Sequence, residues 1–235
     1  MATFVLIPGA GGAAWYWSRV VPLLAARGHV GVACDLPSGD DDADLDTYAD
    51  ACVAHLEADA DALREAGRSG LVVVGQSLGG FSAPILAGRL DSDAVVLLNA
   101  MIPRPGETPG EWFATSGSDA ARREMAEREG RTVGDGVDPE QDFLHDLPAD
   151  VLAEAARMGP PEQSGQILRR VARFDGWPDA TAVVGAREDR FFPWEFQRRQ
   201  ARERLDREAT GVPGGHLAAL SRPREVVDAL VHVLS

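Results

Sequence analysis

Residues 71–79 read Leu-Val-Val-Val-Gly-Gln-Ser-Leu-Gly, and this stretch decides the fold. Its first half, residues 71–74, is apolar and rich in β-branched side chains, which is typical of a strand buried on both faces of a parallel sheet. The pattern G-x-S-x-G follows directly, centred on Ser77, and a helical pattern runs over residues 78–89. Glycines on both sides allow a tight turn with a strained backbone at the serine. Strand, turn and helix in this order predict an exposed, nucleophilic Ser77.

Similar apolar runs recur along the chain and alternate with helical patterns. Such alternation predicts an α/β fold in which right-handed crossovers place helices on both faces of the sheet. We therefore expect a doubly wound, mostly parallel sheet of about six strands. Besides residues 71–74, the predicted strands are 3–7, 30–34, 94–98, 182–184 and 208–212, and the predicted helices flanking them are 15–27, 45–65, 78–89, 194–204 and 224–234.

One interval breaks this alternation. About 80 residues separate the end of the fourth predicted strand from the start of the fifth, which is too long for a single crossover. We expect a helical cap at residues 103–177, inserted into a core that is formed by residues 1–102 and 178–235. The helices predicted within the cap are 110–116, 119–130, 149–158 and 163–173, and the turns between them are 103–109, 134–139 and 159–161.

A serine hydroxyl is a poor nucleophile at neutral pH, so a general base must accept its proton. Of the five histidines, His216 fits best, because it follows Gly214-Gly215 after the last predicted strand, where an open parallel sheet delivers residues to its carboxyl edge. The imidazole in turn needs a carboxylate that fixes its orientation. Asp189 and Glu188 both lie in the loop after predicted strand 182–184. We predict Asp189 as this acid, with Glu188 as the alternative.

Negative charge develops on the substrate oxygen in acyl transfer, so backbone N–H groups should converge on it, each worth about 3 kcal/mol of the barrier. The predicted donors are the N–H groups of Leu78, which follows the nucleophile, and of Ala10, in the glycine-rich loop at residues 8–12. A dinucleotide site is the alternative for such a loop. However, residues 9–12 do not place glycines in the register of G-x-G-x-x-G.

The substrate pocket is expected between the carboxyl edge of the sheet and the cap. Three apolar side chains are candidates for its wall, although core packing explains each of them equally well. They are Met101, Trp112 and Phe143.

The composition excludes several other classes of protein. A net charge of −14 opposes nucleic-acid binding, which requires a basic surface. No apolar stretch approaches the roughly 18 residues of a membrane span and the first residues carry no basic leader, so we expect a cytoplasmic protein. The two cysteines, Cys34 and Cys52, are assigned to buried packing rather than to a disulfide or a metal site, and the acidic run at residues 40–42 to a solvated loop. The oligomeric state stays open.

Together these motifs resemble the α/β-hydrolase superfamily, and more narrowly the small cap-bearing esterases that include plant methyl-ester esterases, hydroxynitrile lyases and bacterial relatives. Residues 4–10 with Trp15 and Trp17 look like the oxyanion-loop opening of that group, with Pro8-Gly9 where a His-Gly pair is usual. The segments 185–193 and 214–216 look like its acid and base segments. The resemblance implies ester hydrolysis through an acyl-enzyme, on a small-molecule substrate and without a cofactor or metal.

Fold alone does not settle the substrate. The lyases of the group are similar in their triad but use a lysine, and this chain contains none. Cleavage of a carbon–carbon, amide, carbamate or lactone bond in a natural-product or aromatic intermediate remains open, as does another cofactor-independent lyase reaction. A non-catalytic small-molecule receptor on the same fold is a further alternative.

Overall fold

A six-stranded parallel sheet forms the centre of the computed structural model, which describes residues 1–134 and 136–233. Its order is β2-β1-β3-β4-β5-β6, and every neighbouring pair is parallel. The prediction of a doubly wound sheet of about six strands is therefore confirmed. The strands are β1 Thr3–Ile7, β2 Val30–Ala33, β3 Leu71–Gln76, β4 Ala94–Leu98, β5 Thr181–Ala186 and β6 Ala209–Val212.

Helices cover both faces of this sheet, because successive residues of each strand point to opposite sides. Val5 and Val73 face the cluster that includes the helices at residues 45–58, 83–90 and 194–205, whereas Phe4 and Val72 face the cluster that includes the helices at residues 21–25 and 223–232. In the described residues the helices outside the β4–β5 connection are α1 Val21–Ala25, α2 Leu45–Ala58, α3 Ala60–Ser69, α4 Ala83–Leu90, α9 Trp194–Leu205, α10 Ala218–Ser221 and α11 Pro223–His232.

Three of the predicted helices are wrong in their extent, and the predicted helix 78–89 is one of them, because residues 77–80 form a 3₁₀ turn and α4 begins only at Ala83. The predicted helix 15–27 consists of a 3₁₀ turn at Ala14–Trp17 and the separate α1, which has Pro22 in its first turn. Proline lacks an N–H group and therefore begins a helix more readily than it continues one. The predicted helix 45–65 is divided at Asp59, whose side chain accepts a hydrogen bond from the N–H of Ala62 at 2.9 Å and thereby caps α3.

The connection between β4 and β5, residues 99–180, is called the insertion below. Its helices are mostly where they are predicted, but residues 163–173 form only a 3₁₀ turn at Gly165–Arg169. A short helix at Pro139–Asp142 was missed; it begins at the end of the predicted turn 134–139, where the side chain of Asp138 accepts hydrogen bonds from the N–H groups of Glu140 and Gln141. Residue 234, the end of the last predicted helix, lies outside the described residues. The helices of the insertion are α5 Pro109–Ser116, α6 Ser118–Arg128, α7 Pro139–Asp142 and α8 Ala149–Met158.

The acidic run is more than a solvated loop. The Oδ1 atom of Asp41 accepts a hydrogen bond from the hydroxyl of Ser164 at 2.5 Å. Arg170 donates to the carbonyl oxygens of Asp41 and Asp42 at 2.8 and 3.3 Å. These residues therefore attach the end of the insertion to the core. Cys34 and Cys52 are buried and free, as predicted.

A buried ion pair fixes the inner side of the insertion. Arg122 and Asp142, 2.7 Å apart, have side chains that are 4% and 0% exposed. Arg122 also contacts Asp119 at 3.3 Å, but that carboxylate is 60% exposed. Because a charge that loses its partner inside the protein pays its full desolvation cost, the two contacts should differ greatly in their contribution to stability.

We expect Asp142→Ala to lower the free energy of unfolding by about 3–5 kcal/mol, because it leaves the Arg122 charge buried without its partner. Asp119→Ala removes an exposed partner of the same arginine and should cost less than about 1 kcal/mol. Urea unfolding of both variants, followed by circular dichroism, measures the difference. Equal losses would contradict the assignment of Asp142 as the partner that matters.

Candidate active site

Ser77 stands on the strained turn that its sequence predicts. The residue follows β3 and has a φ of +50°, in the left-handed region that residues other than glycine rarely adopt. A Cβ atom on Gly79 would lie 2.5 Å from the carbonyl oxygen of Pro8, and one on Gly80 would collide with the carbonyl oxygen of Met101. Glycine is therefore required at both positions, because the loops after β1 and β4 pack directly against the turn.

His216 lies between Ser77 and Asp189. Its Nε2 atom is 3.0 Å from the hydroxyl oxygen of Ser77, and its Nδ1 atom is 2.8 Å from Oδ2 of Asp189. Asp189 is fully buried, and its other oxygen accepts hydrogen bonds from the N–H groups of Phe191 and Phe192, both at 2.8 Å. The structure thus brings the three predicted side chains into one hydrogen-bonded chain, which is the geometry that nucleophilic catalysis by serine requires.

The alternative acid, Glu188, does not reach the imidazole. Its carboxylate instead accepts a hydrogen bond from the backbone N–H of Gly214. Asp189 is therefore the residue of this pair that contacts His216. Glu188 instead holds the backbone of Gly214, two residues before the histidine.

Two amide side chains that sequence reasoning missed hold the backbone at His216. Asn99 donates from Nδ2 to the carbonyl oxygens of Gly215 and His216 at 3.2 and 3.0 Å, while its Oδ1 accepts from the N–H of Ala186 at 2.7 Å. Gln76 donates to the same carbonyl of His216 at 3.3 Å. The available signal was their position, since each stands at the carboxyl end of a buried strand, where side chains of neighbouring loops meet.

Both predicted oxyanion donors belong to segments beside Ser77. Leu78 follows Ser77 as the second residue of the 3₁₀ turn at Ser77–Gly80, directly after β3. A Cβ atom on Gly9 would lie 2.8 Å from Cβ of Ser77, so the loop after β1 touches the serine, and Ala10 follows Gly9 directly. The positions are compatible with the predicted role of the two N–H groups.

The apolar wall consists partly of residues that were not predicted. The ring of Phe143, one of the three candidates, lies 5.2 Å from that of His216. Phe191 and Phe192 are equally close, at 5.1 and 5.2 Å. The two other candidates are buried in the core: Trp112 is 0% exposed and its ring lies 5.3 Å from that of Phe192, and Met101 is 1% exposed and donates its N–H to the carbonyl of Ser77.

A sequence model of the alpha/beta hydrolase family matches residues 4–229. The chain belongs to the alpha/beta hydrolase family. The fold, the turn at Ser77 and the resemblance noted from the sequence all agree with this membership, and the prediction of an α/β-hydrolase is confirmed.

Esterases are among the proteins that this hydrolase resembles. A probable esterase, PIR7A, from Oryza sativa is 34% identical over 116 residues, a match that covers 46% of this chain and only 42% of the rice protein. The structure of polyneuridine aldehyde esterase matches with a TM-score of 0.77 and 20% identity, covering 100% of both chains. An Arabidopsis methylesterase matches with a TM-score of 0.71 and 17% identity, covering 100% of this chain and 99% of the other. At these identities the two structures show a shared fold.

Two cavities lie near the His216 loop of the hydrolase. An apolar cavity of about 480 Å³ lies behind Phe191 and Phe192. A polar cavity of about 340 Å³ lies beside Gly214, where burial and the charge of Arg190 lower the pKa of His145. Across residues 1–134 and 136–233, no cluster of histidine, cysteine, aspartate and glutamate side chains is arranged to hold a metal ion. No helix in the described part of the chain is both long and apolar enough to cross a membrane.

Proposed function

We propose that the protein is a serine hydrolase that cleaves a small-molecule ester through an acyl-enzyme. The observation that carries the proposal is the hydrogen-bonded chain from Ser77 through His216 to Asp189, with distances of 3.0 and 2.8 Å. A serine hydroxyl on a strained turn, next to an imidazole that a buried carboxylate orients, is the arrangement that activates serine for attack on an acyl carbon.

The proposed reaction has two halves. In the first, the Ser77 oxygen attacks the acyl carbon while Nε2 of His216 accepts the hydroxyl proton, and the N–H groups of Leu78 and Ala10 stabilise the oxyanion. His216 then returns the proton to the departing alcohol. In the second half, water attacks the acyl-enzyme with His216 again as base, which releases the acid and restores Ser77. Throughout, Asp189 keeps a proton on Nδ1 of His216 and stabilises the imidazolium.

The substrate group next to His216 is proposed to be apolar, because three phenylalanine rings surround the imidazole: Phe143, Phe191 and Phe192. The esterases that the chain resembles support an ester as the bond cleaved. The same three residues can also act on lactone, amide, carbamate and carbon–carbon bonds. A substrate screen distinguishes these alternatives from an ester. A chain without lysine cannot supply the lysine that the resembling lyases use.

The proposal is tested by labelling with a fluorophosphonate, which reacts with an activated serine. We expect one adduct per chain, mapped by peptide mass spectrometry to Ser77 and absent from Ser77→Ala. Ser82→Ala is the matched control, because that hydroxyl is in the same segment but fully buried and has no hydrogen-bond partner among the described residues. It should label at the wild-type rate. A folded protein that does not label would refute the hydrolase and favour a receptor.

A further inference from the structure

The oxyanion loop, defined here as residues 8–12, is a short turn with one backbone hydrogen bond of its own, from the N–H of Gly12 to the carbonyl of Gly9 at 3.1 Å. Pro8 stands where the resembling esterases usually have a histidine, and proline has no N–H donor of its own. Gly11 and Gly12 have φ values of +87° and +60°, a conformation open chiefly to glycine. Glycine also has more backbone freedom than any other residue. Ala10, the predicted donor, lies inside this turn next to the two glycines, so a contact from outside the loop adds to what fixes its orientation.

Gln163, from the end of the insertion, contacts the loop directly. Its Oε1 atom accepts a hydrogen bond from the N–H of Gly11 at 3.1 Å. Its Nε2 atom lies within hydrogen-bonding distance of three oxygens, which hold the amide in one orientation: the carbonyls of Ser38 and Ser164, both at 3.2 Å, and the hydroxyl of Tyr48 at 3.1 Å. Because the amide nitrogen faces these acceptors, its oxygen must face Gly11.

The residues around Gln163 form a strap, residues 161–164, that is bonded to the core on both sides of the contact. The N–H of Ser164 donates to the carbonyl of Ser38 at 2.7 Å, and the hydroxyl of Ser38 donates to the carbonyl of Glu162 at 2.8 Å. Pro161 packs so closely on Gly11 that a Cβ atom there would collide with it. The strap therefore sits on the oxyanion loop with little freedom to move.

We infer that Gln163 is a positioning residue for the oxyanion hole: it fixes the peptide between Ala10 and Gly11 and, through it, the direction of the Ala10 N–H. The inference rests on the proposed function, since it concerns the donor that would meet the developing oxyanion. Electrostatic stabilisation of this kind depends on donors that are oriented before the charge develops. The insertion thus braces the turn from outside, in addition to the bond between Gly12 and Gly9.

Gln163→Met tests the inference, because methionine has a similar length and flexibility but neither the acceptor nor the donor. We expect hydrogen exchange of the Gly11 amide, followed by NMR, to accelerate at least about tenfold, because its hydrogen bond is lost. The rate of fluorophosphonate labelling and kcat for a short acyl ester should fall by about 10- to 100-fold, less than the loss of a whole donor. KM should change by less than about twofold, since the ground state gains little from this donor.

Two control variants separate the Gly11 contact from general loosening of the strap. Tyr48→Phe removes one acceptor of the Gln163 amide and leaves its bond with Gly11 in place. Ser164→Ala removes the bond between the strap and Asp41. In both variants the exchange rate of the Gly11 amide and the labelling rate of Ser77 should stay within about threefold of wild type, because the bond between Gln163 and Gly11 survives. An effect of Ser164→Ala as large as that of Gln163→Met would overturn the specific role of Gln163.

The exchange rate of Gly11 and the labelling rate of Ser77 test different parts of the inference. Unchanged exchange of Gly11 in Gln163→Met would show that the side chain does not brace the loop. Faster exchange with an unchanged labelling rate, or a change in KM alone, would show that the bracing is structural and would overturn the positioning role. A wild-type protein that does not react at Ser77 would refute the proposed function and the catalytic part of the inference, while the exchange rate of Gly11 still decides whether Gln163 braces the loop.

Discussion

Ser77→Ala is expected to lower kcat for hydrolysis of a short acyl ester by about 10⁶-fold, because the acyl-enzyme can no longer form. The Oγ atom is the group that His216 contacts at 3.0 Å, and the turn Ser77–Gly80 contains no second hydroxyl that could take its place. Alanine also removes few contacts from a turn already held by its flanking glycines. With an aromatic acetate ester as substrate, stopped-flow assays measure the fast hydrolysis by the wild type, and long-time assays measure the slow hydrolysis by the variant.

The double variant Ser77→Ala/His216→Ala is the sharper form of this experiment. If both residues serve one proton transfer, each single loss is about as large as the double loss, because residues that act as a unit are not additive. Losses that multiply would indicate separate roles and contradict the proposed chain. Turnover of any substrate that survives Ser77→Ala at the wild-type rate would exclude an acyl-enzyme for that substrate and favour a lyase reaction.

The nucleophile and the base could be predicted because their signals are local or topological. Ser77 follows from the strand, turn and helix within one short stretch. His216 follows from the rule that parallel strands deliver their functional residues to one edge of the sheet. The first argument needs only this stretch, and the second needs only the positions of the strands along the chain, which buried apolar runs indicate.

The choice between the two candidate acids depends on loop structure rather than on a local sequence signal. Asp189 and Glu188 are neighbours in one loop, and which carboxylate turns towards His216 depends on the local backbone. That backbone is fixed by the hydrogen bonds of Phe191 and Phe192 to Asp189, which no spacing in the sequence reveals. The sequence favoured Asp189 with Glu188 as the alternative, and the loop conformation is what places Asp189 against His216.

The contacts that hold the site were beyond sequence reasoning for a different reason. Gly11 and Gln163 are 152 residues apart, and their contact depends on where the insertion ends. The segment 163–173 was expected to be helical on local preference, yet its hydrogen bonds to the core hold the strap against the oxyanion loop instead. Tertiary contacts override helix propensity, which amounts to less than about 1 kcal/mol per ordinary residue. The break at Pro22, by contrast, was readable from proline chemistry alone.

Asp189→Asn is expected to lower kcat by about 10⁴-fold while leaving the fold intact, because it reverses the tautomer of His216. Oδ1 of Asp189 accepts from two backbone N–H groups, so the amide oxygen of asparagine must occupy that position. The amide nitrogen then takes the place of Oδ2, 2.8 Å from Nδ1 of His216. A donor at that position requires Nδ1 to be unprotonated, which moves the proton to Nε2, opposite the Ser77 hydroxyl.

In that tautomer His216 cannot accept the proton of Ser77, so fluorophosphonate labelling should slow together with ester hydrolysis. Glu188→Gln is the matched control in the neighbouring residue. Glu188 accepts the N–H of Gly214, and the oxygen of a glutamine can accept the same bond, so kcat should stay within about fivefold of wild type. A large loss in Glu188→Gln with a small one in Asp189→Asn would reverse the assignment of the acid. Equal retention of activity in both variants would mean that His216 needs no carboxylate, and it would refute the triad mechanism.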